Sequence, residues 1–287
     1  MPDSMQGQVC LVTGATFGIG RATALGLAGR GARVAIVGRD AGRTEATATW
    51  LRRASGNEQV EPLLADLFAQ AEVRRLAQAF MATHRRLDVL VNNAGGFFSE
   101  RATTVDGFER TWALNHLVYF RLTLELLPLL KASAPARIVN VASAVHARGR
   151  IDFDDLQGAR RYDGVRSYCQ SKLANVLFTY ALARRLAGSG VTANCLHPGM
   201  VATGIKRNMR GVPWLFMTAA GAFMLTPEQG AATSIHLASS PAVAGISGKY
   251  FVKCRWAESS PLSRDEALQE RLWAASLEQT DRGGGRS

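Results

Sequence analysis

The sequence predicts a doubly wound α/β domain built on a seven-stranded parallel sheet. Short β-branched runs alternate with helical patterns up to about residue 252, which is typical of a parallel sheet with helical crossovers. The runs are apolar nearly throughout, as strands are when helices cover both faces of a sheet. The 287 residues, 47% of them hydrophobic, suffice for one sizeable core. The seven predicted strands are 9–13, 33–37, 59–64, 89–92, 137–141, 192–196 and 247–252.

One domain and a short C-terminal region account for the chain. No linker or repeat interrupts residues 5–255, so we expect a single domain there, with a variable segment at about 200–225. A helix is predicted at 263–279, where Ser263 and Glu266 match the capping-box signature. Residues 256–287 are therefore expected to contain this helix and a disordered end.

The basic charge of the chain does not indicate a nucleic-acid partner. Lysine and arginine number 34 against 23 acidic residues, which gives a formal net charge of +11. These basic residues are spread along the chain without a stripe or a tail, which is the pattern of a solvated surface. The four cysteines show no metal-binding spacing with the histidines, so no metal site is expected.

The sequence also lacks signals for secretion or membrane insertion. Its first residues do not match a secretory signal peptide. No run reaches the roughly 18 apolar residues that a membrane-spanning helix needs. A cytoplasmic location with reduced cysteines is the simplest expectation.

A glycine-rich turn follows the first predicted strand. The sequence TGATFGIG, residues 13–20, lies between that strand and a predicted helix. Glycines there let the backbone approach a pyrophosphate, whose charge is then stabilised at the helix N-terminus. Because the motif requires this strand–turn–helix context, the turn predicts a Rossmann-type dinucleotide site.

The end of the second predicted strand indicates which dinucleotide binds. NAD-binding proteins place a carboxylate about 20 residues after the glycines, on the ribose 2′-hydroxyl. Here Gly38 and Arg39 stand at that end, and an arginine pairs with the 2′-phosphate of NADP. Asp40 is better explained as the N-cap of the next helix, although it could instead turn to the ribose. NADP(H) is therefore favoured over NAD.

Three polar side chains suggest an acid–base site. Tyr168 and Lys172 lie four positions apart in a predicted helix and so share one of its faces. A neighbouring ammonium favours the phenolate of a tyrosine and brings the tyrosine pKa closer to working pH. Ser143 follows an apolar strand and therefore lies at the carboxyl edge of the sheet, where ligands bind. This set predicts a proton donor for a carbonyl or a proton acceptor for an alcohol.

Further motifs complete a family resemblance. Residues 92–95, NNAG, end the fourth predicted strand, and Pro198 and Gly199 end the sixth. With the glycine turn and the Tyr168–Lys172 pair, they make the chain resemble the classical short-chain dehydrogenase/reductase family. The motifs occur in the order that this family has.

The resemblance implies a role for each matching residue. Tyr168 would transfer a proton, and Lys172 would bind the nicotinamide ribose and lower the pKa of Tyr168. Ser143 would hydrogen-bond the substrate oxygen, and Asn115 would hold a water in a proton relay to the lysine. A homodimer or homotetramer is also implied. The implied cofactor-binding residues are Gly14, Gly18, Ile19, Gly20, Arg39, Asp66, Leu67, Asn92, Ala94, Gly95, Tyr168, Lys172, Pro198, Gly199, Val201 and Thr203.

Two further features resemble the retinol-dehydrogenase-like branch of the family. They are the long spacing between Ser143 and Tyr168 and the helix sequence YCQSKLANVLFTYALARRL. That branch oxidises or reduces apolar alcohols and carbonyls, including retinoids and lipid aldehydes. The resemblance therefore implies an NADP-dependent oxidoreductase for an apolar small molecule. The alternatives are a non-catalytic NADP(H)-binding sensor or scaffold, and reduction of a C=C bond by the same Tyr–Lys pair.

Residues 200–225 allow three interpretations. Lys206, Arg207 and Arg210 precede an apolar run, and the segment holds no acidic residue. It could be a lid over an apolar substrate, a peripheral contact with an anionic membrane through 206–225, or helices packed on the sheet or a second subunit.

Three histidines lie close in sequence to the proposed site, namely His116, His146 and His197. Because Tyr168 already supplies the acid/base, we interpret them as supporting or structural residues.

Overall fold

A single sheet organises residues 4–201 and 224–282, the part of the chain that the computed structural model describes. Within these ranges the strands pair in the order 3-2-1-4-5-6-7-8, and all neighbours are parallel except the last pair. The strands are β1 (Val9–Thr13), β2 (Arg33–Gly38), β3 (Val60–Leu64), β4 (Val89–Asn92), β5 (Ala136–Val141), β6 (Val191–His197), β7 (Tyr250–Val252) and β8 (Arg255–Ala257).

Helices cover both faces of this sheet. Successive strand residues face opposite sides, so Leu11 of β1 packs into one apolar core and Val12 into the other. The helices are α1 (Gly18–Ala28), α2 (Ala41–Ser55), α3 (Gln70–Thr83), α4 (Val118–Ala132), α5 (Gly164–Arg185), α6 (Pro227–Ser239) and α7 (Glu266–Arg282). Side chains of α1, α2 and α6 form one core with the sheet, and those of α3, α4 and α5 form the other. The predicted doubly wound α/β fold is confirmed.

None of the helices in the described ranges combines the length and the apolar character that crossing a membrane requires.

The sheet has one strand more than the sequence predicted. β8 pairs antiparallel with β7 through a two-residue turn, in which Lys253 and Cys254 have φ of 51° and 60°. Positive φ at both turn residues is the geometry of a type I′ hairpin, which Asn and Gly usually signal. The backbone N–H of Cys254 donates to Thr233 Oγ1 at 3.1 Å and so holds the turn against α6. This tertiary contact replaces the sequence signal, which is why the eighth strand was missed.

α7 is present as predicted, but its N-terminal cap is not Ser263. Asp265 Oδ1 accepts a hydrogen bond from the backbone N–H of Leu268 at 3.0 Å, so Asp265 caps the helix. Ser263 lies in a short 3₁₀ turn (Pro261–Arg264), and its hydroxyl is within hydrogen-bond distance of Ser260 O and Ser259 Oγ. The capping-box interpretation was therefore wrong, because the helix begins at Glu266 and its N-cap position is residue 265.

The strand order reverses between β1 and β4, and this reversal positions the site. The chain runs outward from β1 to β2 and β3, then returns to add β4 on the other side of β1. Loops that leave neighbouring strands in opposite directions open a crevice at their carboxyl ends. Thr13 Oγ1 accepts from the backbone N–H groups of Asn93 at 2.9 Å and Ala94 at 3.0 Å, which ties the two loops together at the crevice floor.

Candidate active site

A cavity of about 900 Å³ opens at this carboxyl edge of the sheet. Its volume is in the range of small-molecule and cofactor sites. The cavity is lined by fifteen of the predicted site residues, from the glycine turn to the end of β6: Gly14, Gly18, Ile19, Gly20, Arg39, Asp66, Leu67, Ala94, Gly95, Ser143, Tyr168, Lys172, Pro198, Gly199 and Val201.

Two predicted residues lie behind the cavity wall instead. Asn92 is fully buried, and its Nδ2 donates to Thr123 Oγ1 at 2.9 Å and to Asn140 Oδ1 at 2.8 Å. Its neighbour Asn93 lines the cavity in its place. Asn115 is also fully buried and contacts the cavity wall from the protein interior.

Thr203, the remaining predicted residue, lies outside the described residues, as do Lys206, Arg207, Arg210 and the rest of 202–223. The two ends of this segment are described. Leu225 N–H donates to Met200 O at 2.7 Å, and Val201 forms a parallel bridge with Leu225. The chain therefore leaves and re-enters the described structure at one point beside the cavity.

The glycine turn fits a pyrophosphate. Gly14 has φ of 63°, and a Cβ there would lie 2.7 Å from the Cα of Ala94. A Cβ on Gly20 would lie 2.4 Å from the carbonyl oxygen of Gly14, so the first turn of α1 packs directly on the loop. That first turn contains no acidic residue, and the N-cap residue Phe17 makes no side-chain cap. Backbone N–H groups at the start of α1 are thus oriented for an anion.

Arg39 stands at the end of β2 where a dinucleotide's adenosine ribose would bind. Its side chain is exposed, and the guanidinium lies 5.9 Å from the ring centroid of Phe68. Among the described residues no carboxylate lies within ion-pair distance of it. Asp40 is engaged elsewhere, because its Oδ1 caps α2 by accepting from Arg43 N–H at 2.8 Å. The N-cap interpretation of Asp40 is confirmed.

Tyr168, Lys172 and Ser143 meet at the inner end of the cavity. The side chains of Tyr168 and Ser143 line the cavity together, and the Ser143 hydroxyl is close enough to lower the pKa of the phenol. Lys172 lies one turn along α5, with its Nζ 5.8 Å from the ring centroid of Tyr168, and donates to Val141 O at 3.0 Å. The ring of Phe97 packs edge-on against Tyr168 at 5.8 Å between centroids. The helix thus presents the phenol to the cavity between an apolar wall and a hydroxyl.

Burial governs the ionisation of both helix residues. It raises the pKa of Tyr168 well above that of a free tyrosine, and the neighbouring hydroxyl of Ser143 acts in the opposite direction. Burial also lowers the pKa of Lys172 from 10.5 to about 7. Tyr168 therefore carries its proton at neutral pH, which suits a proton donor.

Asn115 supports the cavity wall from a π turn. The chain approaches α4 through one helical turn and the π turn Ala113–Leu117, an irregularity often found at functional sites. Asn115 accepts from Gly96 N–H at 2.8 Å and donates to Gly96 O at 2.9 Å and to Ser171 Oγ at 3.0 Å. It thus joins the loop after β4 to the helix that carries Tyr168 and Lys172.

Sequence reasoning missed Phe97, Asn93 and Arg148, all of which line the cavity. Asn93 belongs to the NNAG motif, in which its neighbour Asn92 was the predicted cofactor-binding residue. The Nδ2 of Asn93 donates to Thr13 O at 2.8 Å. Phe97 and Arg148 lie in loop and 3₁₀ segments without a periodic pattern, so no sequence signal identified them.

Comparison with known proteins assigns the family. The sequence profile described as short chain dehydrogenase matches residues 8–212. The chain belongs to the short-chain dehydrogenase/reductase family. Retinol dehydrogenase 11 of Homo sapiens is 45% identical over 277 residues, covering 96% of this chain and 86% of that protein. Retinol dehydrogenase 14 of Homo sapiens is 45% identical over 289 residues, covering 95% and 86%. This short-chain dehydrogenase/reductase is thus an oxidoreductase of the retinol-dehydrogenase-like branch.

Solved structures support the same fold. An uncharacterised protein of Mycobacterium paratuberculosis is 34% identical, with a TM-score of 0.80 and coverage of 98% of this chain and 96% of that one. The NADP complex of Pseudomonas aeruginosa RhlG is 31% identical, with a TM-score of 0.71 and coverage of 94% and 99%. Both solved structures therefore share this arrangement of strands and helices.

Proposed function

We propose that this short-chain dehydrogenase/reductase uses NADP(H) to interconvert an apolar carbonyl compound and its alcohol, with Tyr168 transferring the proton. One observation carries the proposal: Tyr168 and Ser143 line the same cavity as the glycine turn and Arg39. A cofactor held along the turn and a substrate oxygen held at the phenol would lie in the same cavity. That proximity is what a hydride transfer coupled to a proton transfer requires.

Ser143, Tyr168 and Lys172 have different roles toward the substrate oxygen. When bound, the nicotinamide supplies the hydride in reduction or accepts it in oxidation. Ser143 donates a hydrogen bond to the carbonyl oxygen, and Tyr168 donates its phenolic proton to the same oxygen. The nearby ammonium of Lys172 stabilises the phenolate that remains. Because the raised pKa of Tyr168 keeps the phenol protonated at neutral pH, the free site is set for reduction.

The walls around Tyr168 favour an apolar substrate. Phe97, Val145, Val165 and Met200 line this end of the cavity. Burying an apolar group against such walls contributes about 25 cal/mol per Å² of surface removed from water. The relatives named above are retinol dehydrogenases, so we propose a retinoid-like or lipid aldehyde, or another apolar ketone, as the substrate class.

Arg39 supports NADP(H) over NAD(H). Its exposed guanidinium at the end of β2 lacks a carboxylate partner among the described residues and can pair with a 2′-phosphate. Replacing Arg39 by Asp is expected to lower the preference for NADPH over NADH on the order of 10- to 100-fold in kcat/KM. Arg85→Asp makes the same charge change at an exposed site away from the cavity and serves as the control. An unchanged preference in Arg39→Asp would contradict the phosphate assignment.

Tyr168→Phe tests the proton-transfer role. The variant keeps the ring but lacks the proton, so turnover should fall on the order of 10²- to 10⁴-fold. NADPH binding, followed by cofactor fluorescence, should be unchanged. Tyr162→Phe is the matched control, because its hydroxyl contacts Phe98 O and Glu109 Oε1 outside the cavity. Turnover of Tyr168→Phe within about tenfold of wild type would refute the role.

The non-catalytic alternative makes a different prediction. A sensor or scaffold would bind NADPH tightly yet turn over none of a panel of aldehydes and ketones. The set of Ser143, Tyr168 and Lys172 in the cavity supports the enzyme, because a sensor needs no proton donor in its cofactor cavity. A homodimer or homotetramer remains a prediction from the family resemblance, which analytical ultracentrifugation would test.

A further inference from the structure

His146 lies directly behind Ser143 and has no face in the cavity. It belongs to the 3₁₀ turn Ala144–Arg148 that follows β5, and its residue is 4% exposed. Its ring Nδ1 lies 2.7 Å from the carbonyl oxygen of Ser143. The other ring nitrogen, Nε2, lies 3.0 Å from the backbone nitrogen of Ser260.

These two contacts determine the tautomer of the ring. A backbone N–H can only donate, so the contact with Ser260 requires Nε2 to be an acceptor without a proton. The ring proton is then on Nδ1, where it is donated to the carbonyl oxygen of Ser143. A neutral Nδ1–H imidazole is the form that satisfies both partners at once.

The peptide that follows Ser143 is held from two sides by His146. Its carbonyl oxygen accepts from Nδ1–H at 2.7 Å and from the backbone N–H of His146 at 3.1 Å. Holding this peptide plane restricts ψ of Ser143, which is extended at 158°. The orientation of the backbone in turn sets the direction of the Cα–Cβ bond of Ser143, whose side chain lines the cavity together with Tyr168.

On its other side, the His146 ring contacts the segment after β8, which contains Ser259 and Ser260. Ser259, next to Ser260, is held by the hydroxyl of Tyr180 at 2.7 Å and by the hydroxyl of Ser263. The imidazole also packs against the ring of Tyr250 on β7, with 4.8 Å between centroids. His146 is therefore fixed to the edge of the sheet, and Ser143 is fixed to His146.

We propose that His146, as a neutral Nδ1–H imidazole, is a positioning residue that anchors Ser143 to the C-terminal region and so aims its hydroxyl at the substrate oxygen. The inference rests on the proposed function, in which Ser143 binds that oxygen. Both ring nitrogens are engaged by protein groups, so His146 does not itself exchange a proton with the substrate.

The charged and titratable groups around the ring are consistent with a neutral state. His197 at the end of β6 and Tyr250 on β7 face it, and Arg148 lies on its own turn. Burial lowers the pKa of His146, with the hydrogen bond to Ser143 opposing that effect. Burial, followed by the proximity of His146, lowers the pKa of His197 as well.

Three substitutions at His146 separate positioning from packing. Asparagine places an amide N–H where Nδ1 stands and so keeps the bond to Ser143, but it does not reach Ser260. Glutamine reaches Ser260 as an acceptor and leaves Ser143 without its donor. Phenylalanine loses both bonds and keeps the ring contact with Tyr250. The first two variants each lose one hydrogen bond, so they form a matched pair in stability.

The expected result is a difference between the matched variants in kcat. His146→Asn should keep kcat within about threefold of wild type, while His146→Gln and His146→Phe lose on the order of 10- to 100-fold through misplacement of Ser143. KM and the Kd for NADPH should change little, because the cavity walls remain. Equal losses in Asn and Gln variants, tracking their melting temperatures, would reduce His146 to a packing role and overturn the proposal.

A measurement without turnover keeps this inference separate from the proposed function. Long-range ¹H–¹⁵N spectra of histidine-labelled protein, assigned by comparison with His146→Asn, should show His146 as the neutral Nδ1–H tautomer. An Nε2–H tautomer or a protonated ring at neutral pH would overturn the proposal even if the enzyme is active. If wild type turned over no carbonyl compound, the proposed function would fail while the tautomer result still decided the anchoring geometry.

Discussion

Replacing Lys172 by methionine is expected to stabilise the folded chain at neutral pH while abolishing its turnover. The lysine is 3% exposed, its Nζ donates to Val141 O, and the described aromatic rings nearest to that Nζ belong to Tyr119 and Tyr168. No carboxylate among the described residues forms an ion pair with it. The folded chain therefore carries a buried amine whose charge is opposed chiefly by desolvation.

The size of the effect follows from the pKa of Lys172, which falls from 10.5 to about 7. A tenfold loss of proton affinity corresponds to about 1.4 kcal/mol, so the unfolded chain, which keeps the proton, is favoured by about 4 kcal/mol at neutral pH. Methionine has a similar length and no charge. Losing the hydrogen bond to Val141 O offsets about 1 kcal/mol, which leaves a net stabilisation of about 2 to 4 kcal/mol.

The stability difference between wild type and Lys172→Met is expected to depend on pH. Because the pKa of folded Lys172 is the lower one, the folded chain binds fewer protons, and wild-type stability gains from this group as pH rises from about 7 toward 10.5. Lys172→Met lacks that gain, so its advantage shrinks toward high pH. The difference between the two proteins cancels the contributions of all other titrating groups.

Urea unfolding at neutral pH and at about two pH units higher measures this difference. Lys131→Met is the control, because Lys131 is exposed at the end of α4 and its replacement should leave stability within about 0.5 kcal/mol. A Lys172→Met variant that is less stable than wild type at neutral pH would refute the reasoning. So would an advantage that does not vary with pH.

Two backbone positions give further predictions. Gly20→Ala places a Cβ 2.4 Å from Gly14 O, so it should lower the free energy of unfolding by about 1 to 3 kcal/mol and weaken NADPH binding. Gly42→Ala is the control, because the atom nearest to its Cβ is 3.8 Å away and neither property should change. Thermal unfolding and cofactor fluorescence measure both properties, and intact NADPH binding in Gly20→Ala would count against the close-packed turn. Cys254→Gly relieves a φ of 60° and should raise stability by about 1 kcal/mol, measured by the melting temperature. A lower melting temperature would mean that the Cys254 side chain, not the turn geometry, stabilises the hairpin.

The strands were predictable where burial on both faces produces an unbroken apolar run. β1 and β4 begin and end at the predicted residues, and the other predicted parallel strands overlap the observed ones. β8 could not be recognised because it has three residues, two of them exposed, and its turn is held by Thr233 from a distant helix. Tertiary contacts of this kind leave no local pattern in the sequence.

The site was predictable to the level of motifs, and at the end of β4 the residue that lines the cavity is one position from the predicted one. Side chains alternate along a strand, so Asn92 at the end of β4 turns inward while Asn93 faces the cavity. Helical spacing placed Tyr168 and Lys172 on one helix face, and their predicted roles came from Ser143, the other motifs and the family resemblance. The π turn that places Asn115 did not, because an extra residue in a helical turn has no compositional signal.

The bridge between Val201 and Leu225 fixes the distance between the two points where residues 202–223 join the described structure. Both ends of the intervening segment are joined at one place beside the cavity, so its length and composition can vary without moving β6 or α6. Lengthening a loop with fixed ends costs only about 0.6 kcal/mol per doubling. We therefore expect that exchanging residues 202–223 for the corresponding residues of relatives leaves β6 and α6 in place, which the melting temperature would test.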